Sequence, residues 1–368
     1  MNLDKNRHFW AIVFSWYLAL IALLYFKNGV VYHNEAEKYL LVADRLSFST
    51  LDVLFAKYKF YFTFVCFLKL GLYLFKYKFV LILFHILFNL ISSLFIYRIG
   101  LKLTDSDFAS KIAVGLFLFC YPLQFWTLTL YSETLFIFLC LWLFYYLICH
   151  SFKSLYLTIL ISVLMFFARP FGVLFVMYYW IYYFQTKLKF KLSYFVFINL
   201  LATIAIFSLI LVVKTDSSFY LVALLYKEPM MTSLYPLTNP FMEKDSLLNV
   251  YLYIYREIGF IELLKLEIKK FLWFFCLPRP HYSLLTNLIM GFSSFYFIFG
   301  IYGLIKNKLN QITLSLTVGF LFLSNIIMVL LTLNEWNNRY NILVFPIFCI
   351  IIGNCIKNLL AQNGKKLE

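Results

Sequence analysis

The sequence predicts an all-α protein: a polytopic transmembrane bundle of about 10–12 helices with amphipathic helices in its first outer loop. Of its 368 residues, 63% are hydrophobic and 22% are aromatic, which leaves too few polar side chains to cover a soluble protein. Apolar stretches of about 20 residues recur from Trp10 to Ile356, and each can cross a hydrocarbon core of ~30 Å. Basic residues collect at the short junctions between these stretches, as in multi-pass membrane proteins. We therefore predict a single integral membrane domain over residues 1–368.

The first apolar stretch, from Phe9 to about Phe26, is predicted to be a retained helix. It is long for the core of a signal peptide, and no small-residue cleavage pattern follows it. The later stretches give the remaining predicted spans by the same length criterion. The predicted spans lie near residues 9–29, 79–99, 111–128, 132–149, 155–168, 171–186, 192–213, 284–304, 312–333 and 341–360.

The net charge of +15 lies mostly at the junctions between spans, so it predicts membrane topology and no nucleic-acid partner. Lys and Arg close to the spans belong on the cytoplasmic side. One threading of the chain places both chain ends and all the main basic junctions on that side. These junctions are at residues 5–7, 98–111, 153, 187–191, 306–308 and 365–366.

Two further apolar segments, residues 57–75 and 263–278, do not fit as full crossings because each carries three lysines. We predict that both are amphipathic or re-entrant helices at the outer interface. In the alternative threading both cross the bilayer. The number of spans then stays even, but everything between the two segments is inverted.

The longer loops face outward in this topology, and they hold the polar residues that composition does not explain. Five of the seven arginines fall in these loops, against the trend for basic residues to stay inside. Since Arg binds phosphate rigidly through two hydrogen bonds, this placement predicts an anionic ligand. The outer regions are loop 1 at about 30–78, the turn 131–133, the junction 169–170, the long segment 214–283 and residues 334–340.

Outer loop 1 begins with a predicted amphipathic helix. Apolar residues recur at positions 36, 39, 40, 43 and 46, which is helical spacing. Asn34 and Glu37 form a capping-box pattern, and Glu35 lies in the first turn, where the helix dipole favours a carboxylate. Glu35 is a candidate general base, and the alternative is that both glutamates only start the helix.

Glu133 and Arg169 are ionisable residues at the ends of apolar spans, where such residues are functional candidates. The alternatives are a solvated helix start at Glu133, capped by Ser132, and an Arg169 side chain that snorkels to the interface. Pro170 and Gly172 predict a tight break between two helices.

Two later segments add candidate ligands for a lipid phosphate. Arg279, His281 and Tyr282 follow the aromatic run 271–275, which suits a lipid headgroup, or alternatively an ordinary aromatic belt. Arg339 lies in a polar cluster that is otherwise a plain exterior turn. Acids and cations on one side of the bilayer match a reaction with a phosphate leaving group and a hydroxyl or amine acceptor.

Short patterns in outer loop 1 match those of a known superfamily. Aligned on Tyr39 and Ala43, the loop is similar to D-E-x-R-Y-A-x-x-A, with Glu35 in the place of the first acid and Lys38 in the place of the Arg. Residues 55–61 are similar to F-E-K-P-P-L-Y, without its prolines. In these patterns the chain resembles the C-type glycosyltransferases, in particular the aminoarabinose-transferase and protein-mannosyltransferase branch.

The resemblance continues at later positions and implies roles for them. It implies that Lys57 contacts the donor phosphate. Ala56 stands where the family has a Glu that can ligate a metal, so a divalent cation stays an open question and no metal ligand is assigned. Residues 131–133 resemble the second acidic motif, 168–172 the R-P-x-G junction, and Arg339 with the following Tyr and Pro346 the late R-Y…P element.

The implied function is transfer of a sugar from a polyprenyl-phosphate donor to a lipid, glycan or protein acceptor. It is expected at the outer face of a bacterial cytoplasmic membrane, among membrane lipids. Lys38, Lys57, Arg169 and Arg279 are expected to hold the phosphate. Glu35 or Glu133 deprotonates the acceptor, and one displacement inverts the anomeric configuration.

Two other functions stay open: a transporter or flippase for lipid-linked saccharides, and a non-catalytic scaffold. A transporter predicts ionisable residues near the middle of spans and pseudo-symmetric halves. The predicted spans are nearly free of charge at mid-span, where His85 and Asn89 are the main polar exceptions.

Overall fold

The computed structural model confirms the all-α prediction. It describes residues 6–32, 35–149, 155–189, 191–212, 247–276, 283–306, 312–331 and 343–364. Of these residues 89% are helical. The helices are α1 (Arg7–Asn28), α2 (Glu35–Arg45), α3 (Leu51–Tyr58), α4 (Phe62–Phe75), α5 (Lys78–Thr104), α6 (Asp107–Leu118), α7 (Tyr121–Phe125), α8 (Glu133–Cys149), α9 (Leu155–Phe166), α10 (Gly172–Leu188), α11 (Leu192–Val212), α12 (Leu247–Phe274), α13 (Leu284–Lys306), α14 (Ile312–Leu331) and α15 (Phe345–Gly364).

Five helices in the described part of the chain are long and apolar enough to cross a membrane, so the protein is a multi-pass membrane protein. They are α1 and α5 together with most of α13, α14 and α15. Some of the other predicted spans correspond to shorter apolar helices, such as the 17 residues of α8 and the 12 of α9. At 1.5 Å per residue, 17 helical residues reach ~26 Å, slightly less than the hydrocarbon core.

The span predicted at 111–128 is broken instead of continuous. Helix α6 ends at Leu118, and α7 starts at Tyr121 with a bend of 49° between α6 and the segment that follows. Pro122 lies in the first turn of α7, where its missing N–H costs no helical hydrogen bond. Apolar length alone does not register such a break, because Gln124 is the only strongly polar residue between Leu118 and Trp126.

The two lysine-bearing segments, 57–75 and 263–278, do not form long apolar helices that could cross a membrane in the part that the structure describes. Helix α4 has only 14 residues, or ~21 Å. Helix α12 is interrupted at Gly259, which has a φ of 79°, a conformation that favours glycine. Of the long outer segment predicted at 214–283, residues 214–246 and 277–282 lie outside the described residues.

The chain groups into two compact units. Unit 1 comprises Met1–Tyr183, Phe295–Ser315 and Ile342–Glu368, and unit 2 comprises Phe184–Ser294 and Leu316–Asn341. In unit 1, α6 packs against both α5 and α15. A Cβ at Gly353 of α15 would overlap the backbone of Ala109, so small residues allow these helix backbones to approach closely.

Contacts at the two ends of unit 1 agree with the direction of the first predicted spans. At one end, the Asn6 amide donates to Tyr97, two turns before the end of α5, and to Asp107 at the start of α6. At the same end, Lys357 of α15 donates to the Thr104 carbonyl at 2.8 Å. At the other end, the residues that follow α1 meet those that precede α8, as described below.

Unit 2 contains a buried lysine in α12. The Lys270 ammonium lies 2.5 Å from the Glu267 carboxylate and also donates to the Leu330 carbonyl of α14. Burial lowers the pKa of Lys270, while the Glu267 charge and hydrogen bond act in the opposite direction. Lys270 thus ties α12 to α14 within this unit.

Candidate functional site

The candidate site is one end of unit 1, which we call the loop-1 end. It is formed by helices α2–α4, the turn at residues 127–133 and the junction at residues 167–172. The apolar face predicted for α2 is buried at Ala36, Tyr39, Leu40 and Ala43. The Tyr39 ring lies 5.5 Å from that of Phe64 in α4, so α2 packs against α4 instead of lying alone on a membrane.

Helix α3 brings two of the candidate phosphate ligands to neighbouring positions. The Lys38 ammonium of α2 lies 5.7 Å from the centre of the Tyr58 ring at the end of α3. Lys57 precedes Tyr58 in the chain, so the Lys38 side chain reaches the part of α3 that carries Lys57. Glu35 is the first residue of α2, and Asn34, its predicted N-cap, lies outside the described residues.

The start of loop 1 is attached to the turn that carries the second acidic motif. The Val31 N–H donates to the Leu128 carbonyl at 3.0 Å, and the Leu130 N–H donates to the Val31 carbonyl at 3.3 Å. These bonds fix the chain after α1 beside the chain that leads to Glu133. Loop 1 and the Tyr131-Ser132-Glu133 turn are therefore at the same end of the unit, as the topology predicted.

Glu133 and Arg169 form a buried ion pair at this end. A guanidinium nitrogen of Arg169 lies 2.7 Å from a carboxylate oxygen of Glu133, and the two side chains are 3% and 0% exposed. Neither a solvated helix start nor a snorkelling arginine describes this arrangement. The sequence had proposed both residues as separate candidates, and their pairing is the main new feature of the site.

The break that carries Arg169 is held by α4. The Thr63 N–H donates to the Phe167 carbonyl at 3.0 Å, and the Thr63 hydroxyl donates to the Leu164 carbonyl at 2.8 Å. These carbonyls belong to the end of α9, where helical partners are missing. A Cβ at Gly172 would overlap the Met165 carbonyl oxygen, which explains the need for glycine where α10 begins.

A buried polar network lies next to the loop-1 end, and the sequence had singled out only two of its members. The Asn89 amide of α5 donates to the Thr127 hydroxyl at 2.8 Å and lies 3.2 Å from both Tyr17 of α1 and Gln124 of α7. One ring nitrogen of His85 lies 3.3 Å from the Thr127 carbonyl. The spacing of His85 and Asn89, one helical turn apart, indicates a shared face, but it does not identify their partners.

Helix α4 docks on this network through aromatic rings. The His85 ring stacks at 6.1 Å on Phe67 and lies 6.3 Å from Phe64. Through the Thr127 carbonyl, His85 also contacts the segment that leads to Glu133. The loop-1 helices thus rest on the same polar elements that lead to the Glu133–Arg169 pair.

Four predicted ligands are outside the described residues: Arg279, His281, Tyr282 and Arg339. Glu35 and Lys57 are placed through their helices, as given above. Among the described residues, no group of three or more His, Cys, Asp and Glu side chains could hold a metal ion.

Comparison with known proteins gives no relative. No protein-family model, no curated protein and no solved structure matches this chain. The function of the loop-1 end is therefore argued from its own residues and geometry.

Proposed function

We propose that this chain transfers a sugar from a polyprenyl-phosphate donor to an acceptor at the loop-1 end, on the non-cytoplasmic side of a bacterial membrane. The observation that supports this most is the gathering of three separate sequence motifs. Loop 1 contacts the turn before Glu133 through Val31, and Glu133 contacts Arg169. Since these motifs are distant in sequence, their meeting at one end favours a common role.

The lysines of α2 and α3 are the proposed ligands of the donor phosphate. Lys38 is exposed, and its ammonium group lies over the ring of Tyr58, the residue that follows Lys57. Two ammonium groups beside one phosphate stabilise the negative charge that develops as the phosphate leaves. The donor lipid is proposed to reach them laterally from the bilayer.

Glu35 is the proposed general base. A base must come within about 2.6–3.2 Å of the proton that it removes. Glu133 is fully buried and paired with Arg169, so its carboxylate is a poor candidate for contact with an acceptor. Glu35 begins α2 at the proposed phosphate-binding face, which favours it over Glu133.

The Glu133–Arg169 pair is proposed to position the site instead of binding the donor. The charge of the Arg169 guanidinium is matched by Glu133, and the pair joins the start of α8 to the break before α10. The break in turn holds α4 through Thr63. Loss of the pair would therefore shift the helices that carry the reacting groups.

The proposed reaction is a single displacement at the anomeric carbon. The acceptor hydroxyl or amine attacks this carbon and gives its proton to Glu35. The bond from the carbon to the phosphate oxygen breaks, and the polyprenyl phosphate leaves with the electron pair. One displacement of this kind inverts the configuration.

A transporter of lipid-linked saccharides is the rival proposal, and the polar residues His85 and Asn89 are what favours it. A transport path needs polar groups that line a cavity. Both residues are instead packed inside unit 1, where Asn89 bonds to residues of α1 and α7. Their contacts favour a structural role over a path.

Transfer by purified protein in lipid nanodiscs tests the proposal. Radiolabelled polyprenyl-phosphate sugars are supplied with membrane extract as acceptor. We expect Glu35→Gln to slow transfer by at least about 10²-fold, because a general base contributes about that much. Lys57→Ala should also slow it strongly, since a cation at the leaving phosphate is lost.

The matched control is Glu37→Gln, which removes the same charge two residues along α2 from an exposed side chain. This variant should transfer sugar at nearly the wild-type rate. Unchanged transfer in Glu35→Gln would reject the proposed base, and retention of the anomeric configuration would reject the single displacement. No transfer by wild type from a panel that includes the native donor would favour the transporter.

A further inference from the structure

Three exposed lysines lie in two neighbouring segments, the end of α1 and the connection that leads into α5. Lys27 is in the last turn of α1, and Lys76 and Lys78 flank the connection from α4 to α5. The two regions are in contact, because the rings of Tyr25 and Phe79 are 6.3 Å apart. We call Lys27, Lys76 and Lys78 the lysine corner.

Aromatic side chains surround the lysine corner on the outside of unit 1. Phe26, beside Lys27, is 83% exposed, and Tyr77, between the other two lysines, is 74% exposed. Aromatic rings with neighbouring lysines are typical of the interface between hydrocarbon and headgroups. The exposed aromatic residues are Tyr25, Phe26, Tyr73, Phe75, Tyr77 and Phe79.

The charge of the lysine corner is not balanced by the chain around it. The sequence contains no Asp or Glu from residue 5 to 34 or from 53 to 104. None of the three lysines forms a salt bridge with a described residue, although surface lysines elsewhere, such as Lys111 and Lys265, do. The corner therefore presents three positive charges on an apolar, aromatic surface.

Helix dipoles explain the positions of only two of these lysines. Lys27 and Lys76 lie at the carboxyl ends of α1 and α4, where a cation is favourable. Lys78 begins α5, at the end where the dipole disfavours a cation. An external anion that contacts all three lysines would compensate for this placement.

We propose that the lysine corner binds the headgroups of anionic membrane lipids. The phosphate lies among the three ammonium groups, and the acyl chains contact the exposed aromatic rings. The corner is distinct from the proposed donor site, because α4, ~21 Å long, separates Lys76 from the end of α3. The proposal does not depend on the sugar-transfer function, and its test does not require a measurement of sugar transfer.

Photo-crosslinking in nanodiscs tests this proposal directly. The full chain is placed in phosphatidylcholine with a small fraction of a photoactivatable lipid, either phosphatidylglycerol or a matched phosphatidylcholine. Crosslinked peptides are then identified by mass spectrometry. We expect the phosphatidylglycerol probe to label the peptides around residues 25–28 and 73–79 at least about fivefold more than the phosphatidylcholine probe, the factor that one surface lysine contributes.

Three variants decide whether the lysines cause this preference. The triple variant Lys27→Gln, Lys76→Gln and Lys78→Gln should abolish it, and the corresponding triple Arg variant should keep it. The control variant Lys102→Gln, Lys187→Gln and Lys306→Gln removes three other exposed lysines and should leave corner labelling unchanged. Equal labelling by both probes, or a preference that survives the triple Gln variant, would overturn the proposal.

Discussion

At the scale of single residues, the Glu133–Arg169 pair is the most consequential feature of the chain. Removing two charges from water costs several kcal/mol per ion, and the attraction within the pair offsets this cost only while both partners are present. Each residue therefore depends on the other. The pair is expected to affect function through the stability of the protein and the positions of the helices that it joins, because neither side chain reaches the surface.

The pair predicts a thermodynamic coupling. Glu133→Gln or Arg169→Gln alone should lower the free energy of unfolding by about 3–5 kcal/mol, because each leaves one uncompensated buried charge. The double variant should lose less than the sum of the two single losses. Thermal or denaturant unfolding of the purified protein measures all three.

The control for this cycle is the exposed pair of Lys265 and Glu262, whose side chains are 58% and 39% exposed. Lys265→Gln should cost less than about 1 kcal/mol, since water screens such a pair. Additive losses for Glu133 and Arg169 would show that the two charges are not coupled.

At the scale of helices, the breaks in the chain matter as much as the helices themselves. The break between α9 and α10 carries Arg169, and the break between α6 and α7 brings Gln124 and Thr127 to the polar network. A continuous helix at either place would move these side chains along its axis by 1.5 Å per residue. The loop-1 end therefore exists because two apolar segments are interrupted.

Two glycines give a matched test of this view. Gly172→Ala should destabilise the protein by about 1–3 kcal/mol, because its Cβ would overlap the Met165 carbonyl and the backbone must shift. Gly115→Ala in α6 meets no atom within 4 Å and should stabilise by about 0.5–1 kcal/mol.

Melting temperatures of the two glycine variants, measured in one detergent, give the comparison. A Gly172→Ala variant at least as stable as wild type would contradict the tight break between α9 and α10. In that case the Arg169 junction could tolerate a wider turn than its hydrogen bonds to Thr63 suggest.

At the scale of the whole molecule, the positions of the basic residues predict the orientation in the membrane, and this orientation decides on which side the proposed reaction would occur. The basic junctions near α5 and α6 predict that the end of α5 is cytoplasmic. The loop-1 end is at the opposite end of these helices, so it is predicted to face outward. The lysine corner also lies at this end, against the usual distribution of basic residues.

Cysteine labelling in intact cells tests the orientation. Asn28→Cys, at the end of α1, should react with a membrane-impermeant maleimide from outside. Lys102→Cys, in the last turn of α5, should react only after the cells are permeabilised. The natural half-buried thiols, Cys66 and Cys149, are first replaced by Ser. The reverse pattern would place the loop-1 end in the cytoplasm and reject an outward-facing reaction.

The sequence by itself determined the fold class, the approximate positions of the long apolar helices, and the placement of loop 1, Glu133 and Arg169 at one end of unit 1. Each of these depends on a local property: the length of an apolar stretch, the position of basic residues, or the helical spacing of the face of α2 at residues such as Tyr39. That is why predictions for loop 1, Glu133 and Arg169 agreed on one end of the molecule.

Only the tertiary structure decided how these residues are partnered. The pairing of Glu133 with Arg169, the hold of Thr63 on the end of α9 and the network around Asn89 join residues that are distant in sequence. Hydropathy records how apolar each segment is, but not which face of one helix meets which face of another. Such contacts arise when helices pack, because buried polar groups must then find partners within the protein.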